Sequence, residues 1–302
     1  MSLALLVTGA GGQLGQALLG RAHRAADVAF ARGLDRAALD LTDPFSVRDV
    51  VAEWVRVVRS DSSAHRLVVV NCAAYTAVDA AETEEDAAYA ANAAGPAVLA
   101  TACAELDVRL VHVSTDYVFA GDATSPYEVE HPTGPRTAYG RTKLAGEQAV
   151  LSLHPSGSQV VRTAWVYGGA GANFVRTMAA LERSRDTISV VDDQVGSPTW
   201  TGDLADGLLA LCRSDAPAGT YHATNAGAVS WCGFARAVFE ELGADPARVL
   251  PTDTASFPRP APRPAYSVLS GSAWVAAGLP PLRGWREALT AAFAEEGDAL
   301  RS

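Results

Sequence analysis

The first fifteen residues constrain the fold more than any other stretch of the chain. Residues 3–7 form a short apolar run that is cut by Thr8-Gly9-Ala10-Gly11-Gly12-Gln13-Leu14-Gly15, after which Gln16-Ala-Leu-Leu-Gly-Arg-Ala reads as helix. A buried strand, a glycine-rich turn and a helix, in that order, open a parallel α/β sheet. Glycines at 9, 12 and 15 let the chain turn tightly, let a diphosphate approach the backbone and let the helix lie close to the sheet. The helix N-terminus then presents free N–H groups and a partial positive charge to phosphate. The rival reading is a glycine-rich turn with no ligand.

The rest of the chain continues the alternation. A second strand is expected at residues 28–31, and Asp43 is placed to cap a helix over 44–58 that has proline in its first turn. The strand at 67–70 ends in Asn71-Cys72-Ala73-Ala74-Tyr75, whose small residues would let a nucleotide ribose pass closely over the strand tip. The acidic stretch 79–86 is expected to open one long alanine-rich helix, its carboxylates forming a solvated face. A fourth strand over 109–114 delivers Thr115, and after a loop at 120–136 Thr137 starts the helix that bears Tyr139. A further strand over 159–166 closes with Trp165, Tyr167 and Gly168. The expectation is a doubly wound, Rossmann-like parallel sheet with a smaller C-terminal substrate lobe. Residues 1–168 plus 201–227 would bind a dinucleotide, and 169–200 plus 228–302 would form the lobe.

Composition narrows the partners. A formal charge of −10 argues against nucleic acid or an anionic membrane surface as the main partner. The four cysteines lack C-x-x-C spacing, so reduced, buried thiols are expected rather than disulfides or zinc ligands. With no leader ahead of the first strand and no apolar run near ~20 residues, a soluble cytoplasmic chain is expected.

Tyr139 and Lys143 stand four residues apart, on one helix face. A phenol titrates near ~10, and a neighbouring ammonium favours its ionised form; lowering it by about three pH units takes roughly 4 kcal/mol. The expectation is therefore an acidified tyrosine that exchanges a proton with a substrate oxygen, with Thr115 converging on the same crevice. An exposed helical pair is the rival reading of Y-x-x-x-K alone.

Several segments recur together: Thr8-Gly9-x-x-Gly12-x-x-Gly15, Asp40-Leu41-Thr42-Asp43, Asn71-Cys-Ala-Ala-Tyr-Thr-Ala-Val-Asp79, Ser114-Thr-Asp-Tyr-Val-Phe119, Tyr139-Gly-x-x-Lys143, Arg162-Thr-Ala-Trp-Val-Tyr-Gly168 and Asp193-Gln-x-Gly-x-Pro-Thr199. In this order they resemble the dTDP-4-dehydrorhamnose reductase family of extended short-chain dehydrogenases. The resemblance implies reduction of the C4 ketone of a dTDP-linked 4-ketosugar, with Tyr139, Lys143 and Thr115 catalytic. It implies cofactor contacts from Gly9, Gly11, Gly12, Gln13, Leu14, Gly15, Asp35, Arg36, Asp40, Leu41, Ala73, Ala74, Tyr75, Tyr139 and Lys143. Substrate contacts fall to Thr115, Asp116, Trp165, Asn173 and Arg263; the last would pair with the diphosphate, against a rival reading as a surface arginine. Trp165 equally reads as an aromatic that packs the lobe.

Asp35 favours NADH through a ribose hydroxyl, whereas Arg32 and Arg36 favour the 2′-phosphate of NADPH; use of both is expected, with NADPH preferred. Some family members dimerise through a magnesium site built partly from glutamates after the Pro-Thr motif. Thr199-Trp200-Thr201-Gly202-Asp203 has none, so no metal is expected, and monomer and homodimer both stay open. The alternatives are a reductase for another dTDP-sugar, such as one serving dihydrostreptose synthesis, a nucleotide-sugar epimerase, or a non-catalytic binding subunit.

Overall fold

In a computed structural model that describes residues 2–61 and 65–302, six parallel strands form the central sheet. They are β1 (Ser2–Thr8), β2 (Val28–Leu34), β3 (His65–Asn71), β4 (Arg109–Thr115), β5 (Ser158–Thr163) and the later β10 (Gly219–His222), ordered β10-β5-β4-β3-β1-β2. Short strands β6 (Val166–Tyr167), β7 (Ile188–Val191), β8 (Val195–Gly196), β9 (Thr199–Trp200), β11 (Val229–Ser230) and β12 (Val249–Thr252) pair as β6 with β9, β8 with β11 and β7 with β12. The helices are α1 (Gln13–Arg24), α2 (Pro44–Arg59), α3 (Val78–Ala81), α4 (Glu85–Tyr89), α5 (Gly95–Glu105), α6 (Ala138–Leu153), α7 (Phe174–Ser184), α8 (Thr201–Arg213), α9 (Trp231–Glu241), α10 (Ser272–Ala276) and α11 (Trp285–Arg301).

The sheet is buried on both faces, and its apolar runs show why. Leu3, Leu5 and Val7 of β1 pack toward α1 and α8, while Ala4 and Leu6 pack toward α2 and α5. Helix α2 buries Val47, Val51, Trp54, Val55 and Val58, a stripe at helical spacing, and Asp43 caps it by accepting from the Phe45 amide at 3.1 Å. Strand order reverses between β1 and β3, which opens a crevice beyond their carboxyl ends.

Three expectations are corrected. The helix expected from residue 79 onward is broken into α3, α4, a π-helical turn at Ala90–Ala94 and α5. Pro96 has no amide hydrogen to give to the carbonyl of Asn92, four residues back, so the ladder widens there. Nor are the carboxylates of this stretch only a solvated face: Glu84, Glu85 and Asp86 are exposed, but Asp79 and Glu82 are half-buried. Glu82 accepts from the Ala138 amide (2.8 Å), Glu84 from the Tyr75 hydroxyl (2.7 Å), Glu85 pairs with Arg141 (2.8 Å) and Asp79 with Arg263 (2.9 Å). Third, β5 ends at Thr163, and Val166–Tyr167 leave the sheet to pair with β9.

A separate apolar core of α7, α9 and α11 with β9 fills the C-terminal lobe. Trp274 and Leu279, near the C-terminal end, pack into the sheet core on the α1 and α8 side. No helix among the described residues is long and apolar enough to cross a membrane.

Candidate active site

At the tip of β1 the turn is sterically closed to side chains. Gly9 has φ +70°, and a Cβ there would stand 2.4 Å from the amide nitrogen of Ala73. Only glycine meets both conditions. Gly12 then caps α1 in extended conformation with no side chain over the helix mouth, and no acidic residue stands in the first turn. Gly11, Gly12 and the amides of Gln13, Leu14 and Gly15 thus line an open, positively polarised mouth that fits a dinucleotide diphosphate. Asp35 follows the last residue of β2 directly and accepts from the Ala38 amide at 2.9 Å, with Arg32 and Arg36 exposed on either side. Asp40 is exposed and held below the usual carboxylate range by bonds from Thr42, with help from Arg36. Leu41 points into the core and packs beside Gly95, so its side chain is structural. Ala73, Ala74 and Tyr75 run past the turn from the end of β3, and Asn71 ties the strand tips together. It accepts from the Thr8 hydroxyl at 2.8 Å and the Ala73 amide at 3.0 Å.

Beside this mouth stand the residues expected to react. Thr137 caps α6 through the Gly140 amide at 3.0 Å, which fixes Tyr139 in the first turn. Thr115, at the end of β4, accepts from the Tyr117 amide (3.2 Å) and donates to Asp116 (2.9 Å). The Tyr117 ring meets Tyr139 edge-on, with centroids 5.5 Å apart. Lys143 is buried, its ammonium donating to the Val113 carbonyl at 2.7 Å.

Burial works against the expected acidification of the tyrosine. Burial pushes the Tyr139 phenol up to about 12; the Thr115 hydroxyl opposes this and the Asp116 carboxylate adds to it. Burial likewise pulls Lys143 down to about 8, against the pull of Glu147 and Cys72. Burial is thus the largest influence on the phenol, and it favours the protonated form. Asp116, also buried, is pushed up to about 6, opposed first by Ser267 and then by Thr115.

The expected substrate residues divide. Asp116 and Thr115 face Tyr139. Asn173 has its polar atoms engaged: Oδ1 accepts from the Arg176 amide (3.1 Å), and Nδ2 donates to Gln13 (3.1 Å) and the Gly168 carbonyl (2.7 Å). It caps α7 and bridges the lobe to the glycine turn. Arg263 is no lone surface arginine, being paired with Asp79 near Tyr117. Trp165 stacks on Trp231 at 3.5 Å.

Over residues 3–297 the sequence matches the family described as RmlD substrate binding domain. The chain belongs to this family. It is 53% identical over 293 residues to the dTDP-4-dehydrorhamnose reductase of Streptomyces griseus, covering 95% of this chain and 92% of that one. It is equally 53% identical over 291 residues to a probable dTDP-4,6-dihydroxy-2-methyloxan-3-one 4-ketoreductase of Streptomyces antibioticus, covering 95% and 94%. Among solved structures, the dTDP-4-dehydrorhamnose reductase of Bacillus anthracis in complex with NADP superimposes with a TM-score of 0.88 at 37% identity, covering 98% of this chain and all of that one.

In this family member two further residues brace the reacting groups and escaped the sequence reading. Asn92, buried in the π-helical turn, accepts from the Tyr75 amide (2.8 Å) and donates to the Tyr75 carbonyl (3.1 Å) and to the Thr142 hydroxyl (3.1 Å). It joins the cofactor-side loop to the residue before Lys143. Glu147 makes a buried pair with Arg162, whose Nη2 reaches it at 2.7 Å and whose Nε lies at 3.0 Å. The available signals were an asparagine among alanines ahead of Gly95-Pro96 and a carboxylate four residues beyond Lys143.

Proposed function

We propose that the chain reduces the C4 ketone of a dTDP-linked 6-deoxy-4-ketohexose, dTDP-4-dehydro-L-rhamnose above all, giving dTDP-L-rhamnose in cytoplasmic deoxysugar biosynthesis. What carries the reading is a buried Tyr139 beside Thr115, next to the dinucleotide-shaped mouth, in a member of this family. A bound reduced nicotinamide supplies the hydride to the ketone carbon. Tyr139 gives its proton to the carbonyl oxygen as negative charge gathers there, so C=O becomes H–C–O–H without a bare oxyanion. Thr115 holds the same oxygen after releasing Asp116. Lys143, anchored to Val113, positions the ribose and replaces the ionic balance of the phenol once its proton has left.

Arg263 and Arg259, both on the proline-rich strap at 258–264 and both near Asp79, suit the substrate diphosphate. Asp35 with Arg32 and Arg36 fits use of both cofactors, with NADPH preferred. The equal identity to the S. antibioticus relative favours a second ketosugar as the main rival. Incubation with dTDP-4-keto-6-deoxy-L-mannose and NADPH, with the product identified by NMR, tests the reading; formation of dTDP-L-rhamnose supports it, and unchanged ketosugar overturns it.

A further inference from the structure

Trp165 is held in an unusual way. Its φ is +48°, a left-handed conformation that a bulky L-residue rarely adopts. It lies two residues beyond the end of β5, whose Thr163 pairs with Thr115, so it rims the carboxyl edge of the sheet beside the reacting residues. Its carbonyl accepts from the Thr199 amide at 3.1 Å, which fixes the backbone. The indole lies against Gly196, where a Cβ would come within 2.4 Å of Cε2. That contact explains the glycine of Asp193-Gln-x-Gly196.

Trp231 completes the arrangement. Its ring stacks flat on that of Trp165, with centroids 3.5 Å apart and planes 6° from parallel. Trp231 is itself fixed at the start of α9, where Ser230 caps the helix through the Gly233 amide at 3.0 Å and the Trp231 amide donates to the Gln194 carbonyl at 3.3 Å. Phe174, first residue of α7, packs on its ring at 4.5 Å. Both indoles are only half-buried, so their free edges remain open to a ligand. Three separate segments therefore converge to hold one indole in a strained place at the border of the lobe core.

We propose that Trp231 is a specificity-determining positioning residue: by stacking on Trp165 it fixes a two-indole wall that receives the apolar C–H face and C6 methyl of a 6-deoxyhexose. The inference rests on the reading of Trp165 as a sugar contact in the reduction above. Apolar C–H groups pack against the exposed parts of the aromatic rings, and a wall that cannot tilt loses less freedom when sugar binds.

The test compares Trp231→Leu, Trp231→Phe and Gly196→Ala with the natural enzyme. KM and kcat are measured for the dTDP-6-deoxy-4-ketohexose, KM for NADPH, and binding of dTDP-L-rhamnose by tryptophan fluorescence. Circular dichroism reports the exciton couplet of the stacked indoles. Trp231→Leu is expected to abolish the couplet and raise the ketosugar KM about tenfold, with the NADPH KM unmoved and kcat within about twofold. Trp231→Phe is expected to restore most of the affinity, and Gly196→Ala to raise the ketosugar KM by displacing the indole. A natural-like ketosugar KM in Trp231→Leu, or a loss shared equally by NADPH, overturns the proposal. Should Trp231→Leu fail to fold, the other two variants decide, and natural-like sugar affinity in Gly196→Ala with the couplet lost overturns it. Natural enzyme that neither reduces the ketosugar nor binds dTDP-L-rhamnose sinks the functional reading instead.

Discussion

Replacing Gly146 with alanine tests whether the reaction depends on how closely α6 approaches the π-helical turn. A Cβ at this position would stand 2.0 Å from the carbonyl oxygen of Asn92. Carbon and oxygen settle at about 3.3 Å, so the two backbones must part by roughly 1.3 Å. No side chain can swing aside, because the obstacle is a main-chain carbonyl. That carbonyl points out of its own helix because Pro96 has no hydrogen to give it. The displaced helix carries Tyr139 and Lys143, and it would stretch the bond from Asn92 to Thr142, now 3.1 Å.

A misplacement of about 1 Å at a reacting group costs on the order of 10²-fold in rate. Overpacking costs about 1–3 kcal/mol, offset in part by the ~0.5–1 kcal/mol that alanine gains over glycine inside a helix. The expected outcome is a kcat lowered about a hundredfold and a melting temperature lowered by roughly 2–8 °C. NADPH oxidation at saturating ketosugar and thermal unfolding would measure the two, with Gln148→Ala on the exposed side of the same helix as control. A Gly146→Ala enzyme with natural kcat and melting temperature refutes the coupling. A lowered melting temperature at natural kcat refutes the claim that the contact sets the reacting geometry.

Tyr139→Phe removes the proton donor, so kcat should fall about 10²–10⁴-fold while NADPH binding by fluorescence stays within about threefold; turnover at the natural rate sinks the mechanism. Burial raises the Asp116 carboxyl from 3.8 to about 6, so its contribution to stability is present below 3.8 and is lost as pH rises through 6, worth about 3 kcal/mol in all. Urea unfolding should therefore show natural protein losing up to that much relative to Asp116→Asn between pH 4 and 7, and parallel pH curves would refute the shift. Arg162→Met leaves Glu147 buried without its partner and should cost about 3–5 kcal/mol, most of it recovered in Arg162→Met/Glu147→Leu. A single variant that loses under about 1 kcal/mol in the same unfolding assay would show the pair to be dispensable.

What was legible in the sequence follows rules that act within a few residues. Asp43 and Thr137 announce helix starts because an N-cap needs only its own side chain and the next turn. The glycine turn is equally local. The π-helical turn was legible in principle, since Pro96 alone removes the bond to Asn92, yet alanine-rich composition read as one continuous helix. Partners brought together from distant segments were not legible: Asp79 with Arg263, Glu82 with the start of α6, Trp165 with Trp231, and Trp274 back on the sheet. The surroundings of Tyr139 were hidden for the same reason. Spacing reveals the ammonium four residues away, but not the amount of water removed from around the phenol or the carboxylate of Asp116 set beside it. Those two effects act together to keep the proton on, and they fix the direction in which the residue is useful. An oxidising enzyme of this fold needs the phenolate and must offset that burial with charge, whereas a reducing one needs a phenol that holds its proton until an oxygen becomes more basic than it is. On the proposed reading, burial that looks adverse for a general base suits Tyr139 to a ketone reduction.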